Sequence, residues 1–448
     1  MVTVVPLIIF LPYVEAFNVE YKSLNNPNFM YDPISVVSMV LENRVVFAAN
    51  LFDFTTKLIP QLSILLSLIT MSELLGRADV KVIPGDGRPS MQSMEVKSRA
   101  SFIKAAGLQP SAESSQTPSQ SKSLHTLQRW KHGATVTVFV LWGFIVLLLH
   151  SLAAQRAPNY EVLGCRAVTR PWISSGKEPC ASLVYDCHAH NTTTPDQTSF
   201  DKLDPVVLAS LTIAHCHGLE MPPDLQRLEN LVSLHICNTT IVNWNVTSSI
   251  SATVHRRLQV VLVAGARMDQ MPEGILQPLP GSVMGLQFSH TNLKTLPDDL
   301  YQRWHPLAAI AFEHSELTKI PYQMFFSLVY TLSLLEYQIE TIPTLAMMPP
   351  GIVLPNLQLA ANPLKELPAT LMEPTAFIVS MNVQNTSLTS MPAWVQTNTK
   401  VVWASDTPFC ATPMVDPTLA YQVVCSQHAG QHLTFPIAMF DALYAYEP

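Results

Sequence analysis

Beyond about residue 205 the apolar positions recur in a pattern that is neither helical nor purely alternating. In Leu354-Pro-Asn-Leu357-Gln-Leu359-Ala-Ala-Asn362-Pro-Leu364-Lys-Glu-Leu367-Pro368 they fall at the first, fourth, sixth, eleventh and fourteenth places, with Asn at the ninth. Leu357 and Leu359 alternate as the inward residues of a strand do, because its side-chain period is two. An Asn at the corner hydrogen-bonds backbone groups of the turn that are otherwise orphaned. Proline fixes φ and lacks an N–H, which suits an extended return arm.

The same frame fits Leu211-x-Ile213-x-x-Cys216, Leu234-x-Ile236-x-x-Thr239, Val261-x-Val263-x-x-Ala266, Leu286-x-Phe288-x-x-Thr291 and Ile310-x-Phe312-x-x-Ser315. It continues through Leu332-x-Leu334-x-x-Tyr337 and Met381-x-Val383-x-x-Thr386 to a degenerate Val401-x-Trp403-x-x-Asp406. Subtracting successive first positions gives steps of 20 to 27 residues. The return arm recurs as Met221-Pro222, Met271-Pro272, Leu296-Pro297, Ile320-Pro321, Ile342-Pro343, Leu367-Pro368 and Met391-Pro392, usually with an apolar residue three places on. The second copy departs, with Trp244-Asn245 in place of apolar-Pro.

The first part of the chain reads differently. Residues 134–154, ATVTVFVLWGFIVLLLHSLAA, carry no full charge over the length a helix needs to cross a bilayer. Arg129, Lys131 and His132 flank its start, which by the positive-inside tendency places residues 76–133 in the cytosol and the repeats outside. Residues 76–133, rich in Ser, Gln and Pro, are expected as a disordered linker. Residues 1–75 form a hydrophobic, membrane-associated helical region, whose opening 1–17 lacks the basic flank of a cleaved secretory signal. The uncharged run from Leu58 to Met71, bracketed by Lys57 and Glu73, is either a short span or a helix lying in the interface.

Composition agrees. The chain is 48% hydrophobic and 13% charged, well under the roughly 25% charged of average soluble domains, which favours a membrane protein with a weakly charged ectodomain. The net charge of −7 hides a split: residues 77–131 hold 9 Lys/Arg against 4 Asp/Glu, and residues 155–448 hold 14 against 23. All 7 cysteines follow residue 160, which points to an oxidising compartment for that part. The sequons at Asn191, Asn238, Asn245 and Asn385 also lie after the span, none before it, and mark candidate glycosylation sites.

A solenoid exposes a hydrophobic cross-section at each end and needs caps. Residues 155–207, with Cys165, Cys180 and Cys187, and residues 409–448, with Cys410 and Cys425, are expected to cap about nine repeats at 208–408. Cys410 and Cys425 pair by proximity; Cys165, Cys180, Cys187 and Cys216 allow three pairings, or Cys216 stays an unpaired corner residue. Cys237 is the candidate leftover thiol.

The candidate chemistry is sparse. Cys187-His188-Ala-His190 and His215-Cys216-His217 carry zinc-ligand types but no Cys-x-x-Cys, and polar strand-end histidines are the expected role. Kinase signatures, Gly-x-Ser-x-Gly and His-Glu-x-x-His are missing, so neither an enzyme nor a cofactor is expected. An acidic ectodomain argues against nucleic acid. The strand residues that alternate with the buried ones line the concave face: Gln287, Ser289, Glu313, Ser333, Asn356, Gln358, Asn382 and Gln384. They are small or amide-bearing and form the candidate ligand surface.

With the corner and Leu-Pro return covering residues 205–408, the chain resembles the extracellular class of leucine-rich repeat proteins, whose period is 20–29 residues. CHAHNTTTPDQTSFDKLDP, LPDDLYQRWHPLA, NPLKELPATLM and TNTKVVWASDTPFCATPMVDPTLAYQ are similar to stretches of oomycete leucine-rich repeat membrane proteins. The resemblance implies a repeat solenoid, a horseshoe with a parallel β-sheet on its concave face, preceded by a transmembrane helix and a helical or disordered N-terminal region. It implies a plasma-membrane protein, single- or few-pass, with the repeats outside, that binds an extracellular protein or glycan ligand. A signalling co-receptor working through residues 76–133 is the alternative, and a metal-dependent enzyme a more distant one.

Overall fold

The computed structural model describes residues 32–46, 118–156, 162–169, 176–196, 200–304, 307–319, 321–326, 329–335, 338–343, 348–411 and 421–426, with isolated positions before residue 73 and Phe440. Residues 76–117, the corner at Tyr337 and most of residues 1–17 lie outside the described residues. Two compact units divide the chain: residues 7–43 with 153–448, and residues 1–6 with 44–152.

The first unit is built on one 12-stranded sheet. Its strands are β1 (Cys165–Val168), β2 (Cys180–Asp186), β3 (Ser210–Ala214), β4 (Ser233–Cys237), β5 (Val260–Ala264) and β6 (Gly285–Ser289). They continue as β7 (Ala309–Glu313), β8 (Thr331–Leu335), β9 (Val353–Gln358), β10 (Phe377–Asn382), β11 (Thr399–Trp403) and β12 (Val423–Val424). Spatial order follows chain order, and every neighbouring pair is parallel except β1–β2. One strand per coil, always returning by the same route, is what the 20–27-residue spacing demands. The sheet also runs past the expected repeats at both ends, taking in β2 and β12 from the two cap regions.

Register is set by which strand residues are buried. Leu211, Leu234, Val261, Leu286, Ile310, Leu332, Leu357 and Met381 align across the sheet and are buried throughout. Two residues on, Phe288 and Phe312 stack with ring centroids 5.1 Å apart. Each such side chain contributes about 1.5–3 kcal/mol by leaving water, but only once a neighbouring coil covers it.

The last copy corrects the sequence frame by one residue. Met381 pairs with Val402, and Val402 and Ala404 are buried while Val401 and Trp403 are half-buried. Its corner is therefore Thr407, whose Oγ1 donates to Ala404 O at 2.7 Å, and not Asp406. The apolar residues at 401 and 403 mimic the inward pair, and the small Ala404 hides the true one.

The return arms explain the apolar residue three places after proline. Leu225, Ile275, Met324 and Val395 are buried, and their N–H groups donate to the carbonyls of Pro222, Pro272, Pro321 and Pro392 at 3.0–3.2 Å. Where the second copy has Trp244-Asn245, the indole is buried and donates to Ser248 O at 2.8 Å. Gly274 lies against that ring, where a Cβ would come within 2.2 Å of it.

Helix α1 (Pro33–Val46) starts on Asp32, whose carboxylate accepts from Ile34 N and Ser35 N, the bonding of an N-cap. In the other unit, helix α2 (Pro118–Arg156) runs 39 residues. Residues 118–133, which precede the apolar stretch, are helical and continuous with it. Pro118 stands at its first position, where a missing N–H costs nothing. Its Val136–Ala153 stretch has a mean hydropathy of 2.3 and is long and apolar enough to cross a membrane.

Candidate functional site

Eight strands, β3–β7 and β9–β11, are followed by a left-handed residue and then a polar or small corner. His215, Asn238, Gly265, His290, His314, Ala361, Asn385 and Asp406 have φ between 49° and 62°. Asn, Asp and His tolerate this region best among residues with a Cβ. The geometry lets each N–H reach the end of the next strand, as from His215 to Cys237 O and from His290 to Glu313 O, at 3.1 and 3.0 Å. His290 and His314 consequently stack at 4.2 Å. At the corner itself Asn362 Nδ2 donates to Leu334 O and Leu359 O, both at 2.8 Å, and to Ala360 O at 3.3 Å. Thr386 closes its corner on Val383 O at 2.7 Å.

The concave face has two chemically distinct parts. Along β6–β10 lie the residues the sequence singled out. Ser289, Glu313, Ser333, Gln358, Asn382 and Gln384 are buried, and Gln287 and Asn356 are half-buried. Glu313, Ser333, Asn356, Gln358, Asn382 and Gln384 hydrogen-bond along and across the strands. Ser333 Oγ donates to Glu313 Oε1 at 2.7 Å and Gln358 Nε2 to Asn356 Oδ1 at 2.7 Å. Gln384 N bonds Asn382 Oδ1 at 3.0 Å, and Gln384 Nε2 bonds Ser405 Oγ at 2.6 Å.

Along β2–β5 the same alternating positions mix buried polar residues, among them Ser182, Thr212 and His235, with apolar ones. Val184, Ala214, Cys237, Leu262 and Ala264 form one buried cluster, and Phe440 is its sixth member. His235 sits within this part, fully buried; burial drives its pKa down to about 4, against the opposing pull of the Asp32 carboxylate. Neither of its ring nitrogens has a hydrogen-bond partner among the described residues. Sequence reading missed this patch because its occupant comes from the far end of the chain.

Three disulfides hold the ends: Cys165–Cys180, Cys187–Cys216 and Cys410–Cys425. Cys216 is thus bonded rather than an unpaired corner residue, because β2 and β3 are adjacent and bring the two corners together. Cys237 is the free cysteine, and it is buried, which pushes its thiol pKa up. The disulfide also removes both thiolates from the His/Cys cluster considered for zinc. His190 stacks on Tyr185 at 4.2 Å, and His215 Nδ1 bonds Asp186 Oδ2 at 2.9 Å. Burial of Asp186 disfavours its charge, but bonds from His215, Ala189 N and His188 N outweigh that and hold its pKa below the usual range.

Of the sequon asparagines, Asn191 and Asn385 are exposed and Asn238 and Asn245 half-buried. Asn245 caps a short helical turn, accepting from Thr247 N at 2.9 Å and Thr247 Oγ1 at 2.6 Å. It also lines a polar groove of about 570 Å³, outside the concave sheet, with Asn243, Arg267, Asp269 and Glu273.

No protein-family model matches the chain. Osteomodulin of Rattus norvegicus and of Bos taurus are each 28% identical over 98 residues, 22% of this chain and 22% of theirs. The chain thus spans about a fifth of the length of the curated relatives it matches. Among solved structures, a leucine-rich repeat protein of Leptospira interrogans is 13% identical with a TM-score of 0.31, covering 51% of this chain and 73% of that one. The leucine-rich repeat domain of APL1 is 14% identical with a TM-score of 0.33, covering 53% and 65%. With one parallel strand per coil, a left-handed residue and a closed corner after most of them, and a 20–27-residue step, the chain has the architecture of a leucine-rich repeat solenoid.

Proposed function

We propose that this is a cell-surface leucine-rich repeat protein, held in the plasma membrane through α2, that binds an extracellular protein on its concave face. The observation that carries the reading is the concave sheet, an uninterrupted parallel ladder. Its residues alternating with the core along β6–β10 are mostly hydroxyl- and amide-bearing, with Glu313 among them, and of these Gln287, Asn356 and Ser380 are half-buried rather than buried. Such a surface admits a partner close to the backbone and offers it alternating donors and acceptors. Disulfides at both ends fit an oxidising exterior. The sites are recognition surfaces, and no catalytic role is assigned to any residue.

The test uses full-length protein on cells, with secreted and surface proteins as the candidate partners. Asn356→Arg and Ser380→Arg, both half-buried on the concave face, are expected to remove binding of an identified partner at least about tenfold, as a buried unpaired charge at an interface does. Thr389→Arg, on an exposed return arm, leaves binding unchanged. Equal binding by all three variants overturns the concave-face reading.

A further inference from the structure

Helix α1 belongs with the repeats although the sequence places it before the membrane helix. Val36 and Val37 are 3% and 1% exposed, packed on Ala181, Ala209 and Val232 at the leading ends of β2, β3 and β4. Residue 36 and residue 209 are therefore on the same side of any bilayer. The chain leaves this unit after Asn43 and rejoins it at Ala153.

A chain that leaves one side of a bilayer and returns to it crosses an even number of times. Val136–Ala153 supplies one crossing. Between Asn43 and Val136 the sequence offers one other long apolar run, Leu58 to Met71, which carries no charge. Its described positions are helical, and Leu62, Ile64, Leu65, Leu66, Leu68 and Met71 are all exposed. Between the two runs, residues 77–131 carry 9 basic against 4 acidic residues, the sign expected of a loop kept in the cytosol. A single crossing would strand α1 in the cytosol, away from the face that buries Val36 and Val37.

We infer that residues 58–72 form a second transmembrane segment, so that α1 and the repeats face the exterior together and residues 77–131 form a cytosolic loop between the two spans. The partner of this surface is the hydrocarbon core of the bilayer. At 1.5 Å per residue the 58–72 helix reaches about 22 Å, short of the roughly 30 Å core, a deficit met by local thinning and by the flanking Lys57 extending to the interface. The inference rests on the extracellular reading of the repeats and adds a topology to it.

The experiment is cysteine labelling of the full-length protein in cells with a membrane-impermeant maleimide. The native background is low, since six cysteines are in disulfides and Cys237 is buried. Ser38→Cys, on the exposed side of α1, and Ser390→Cys, on an exposed return arm, are expected to label on intact cells, and Ser101→Cys only after permeabilisation. Adding Leu66→Arg to Ser38→Cys should abolish its labelling on intact cells by blocking the first crossing. Labelling of Ser390→Cys but not Ser38→Cys on intact cells overturns the double crossing and leaves the extracellular reading standing. If Ser390→Cys also needs permeabilisation, both fall. Unchanged labelling in the Leu66→Arg variant removes residues 58–72 as the crossing.

Discussion

The ring of Phe440 lies 6.2 Å from that of His235, tilted by 51°, over the apolar part of the concave face. A residue of the chain's C-terminal region, Phe440, is therefore packed in the buried cluster on β2–β5, to which Cys237 also belongs. The unpaired thiol and the Phe440 ring thus share one buried cluster. Its reactivity is low on two counts, since burial both blocks reagents and raises its pKa. Truncating Phe440→Ala removes apolar burial worth about 1.5–3 kcal/mol, so alkylation of Cys237 should accelerate by on the order of tenfold or more. Phe440→Trp should keep the thiol protected. Equal alkylation rates in all three forms would show that Phe440 does not guard the face.

His235 makes the fold sensitive to acid. Its pKa in the folded chain is about 4 against 6.5 when solvated, because burial disfavours the imidazolium more than Asp32 favours it. Between pH 6.5 and 4 the unfolded chain takes up a proton that the folded chain refuses, so stability falls as pH falls through that window. Below about pH 4 this group adds nothing further. The loss amounts to about 3 kcal/mol over the window. His255, whose pKa burial also lowers, acts in the same direction. A series of thermal melts from pH 7.5 to 4 should show the decline, and His235→Phe should flatten it substantially while leaving the residual slope from His255.

Asn362 does at its corner what the hydroxyls do elsewhere, with more bonds. Its Nδ2 serves three carbonyls, including Leu334 O from the preceding coil. Asn362→Ala leaves buried carbonyls unpaired and should cost about 3 kcal/mol in chemical denaturation. Asn362→Thr restores one short bond of the Thr386 kind, from hydroxyl to the carbonyl three residues back, and should recover about 1 kcal/mol of it. A variant pair of equal stability would mean that the inter-coil bond carries the whole effect.

Nine strands, the inward pairs of the first eight and the proline-led return arms were legible because each is a local rule repeated: two apolar residues one apart, then a proline with an apolar residue three on. The rule failed at the last copy, where Ala404 is inward but reads as neutral while Trp403 reads as core. The first and last strands of the parallel ladder were missed because Cys180–Asp186 and Val423–Val424 lack the corner signature and join by long-range pairing. The concave surface was legible as a set of residues and not as an environment. That Phe440 and α1 fold back onto the coils depends on contacts between distant parts of the chain, which no periodicity reports.

The Cys187–Cys216 bond ties the cap strand to the first of the expected repeats across 29 residues. Closing a loop of that length restricts the unfolded chain by about 3.5 kcal/mol in the chain-entropy account. Cys187→Ala with Cys216→Ala should lower the free energy of unfolding by that amount. The Cys165–Cys180 bond closes a shorter span of 15 residues and should cost somewhat less when both its cysteines are replaced. Chemical denaturation of the two double variants side by side checks the order. A reversed order would show that local packing, and not loop length, sets the contribution.

The sequons are partly a product of the repeat itself. Asn238 and Asn385 each occupy the left-handed position that ends a strand, with φ of 49° and 53°, and Asn191 is left-handed, at 54°, in the turn that follows β2. Thr239 and Thr386, the middle residues of two sequons, are themselves the corners that follow. A coil that places Asn at the left-handed site and hydroxyl residues after it therefore writes Asn-x-Ser/Thr for backbone reasons, whatever is attached. The two demands separate at the exposed Asn385. Asn385→Gly removes the acceptor but keeps the conformation, so stability should hold once the glycan is accounted for. Asn385→Gln also removes the acceptor, but puts a residue with a Cβ and no local hydrogen bond into the left-handed region, which costs about 1 kcal/mol. Endoglycosidase treatment of wild type should shift its mass by one glycan more than either variant. The melts of the deglycosylated proteins should then rank Asn and Gly together, above Gln. A mass unchanged by endoglycosidase in all three would leave the backbone requirement as the sole reason for Asn at this position.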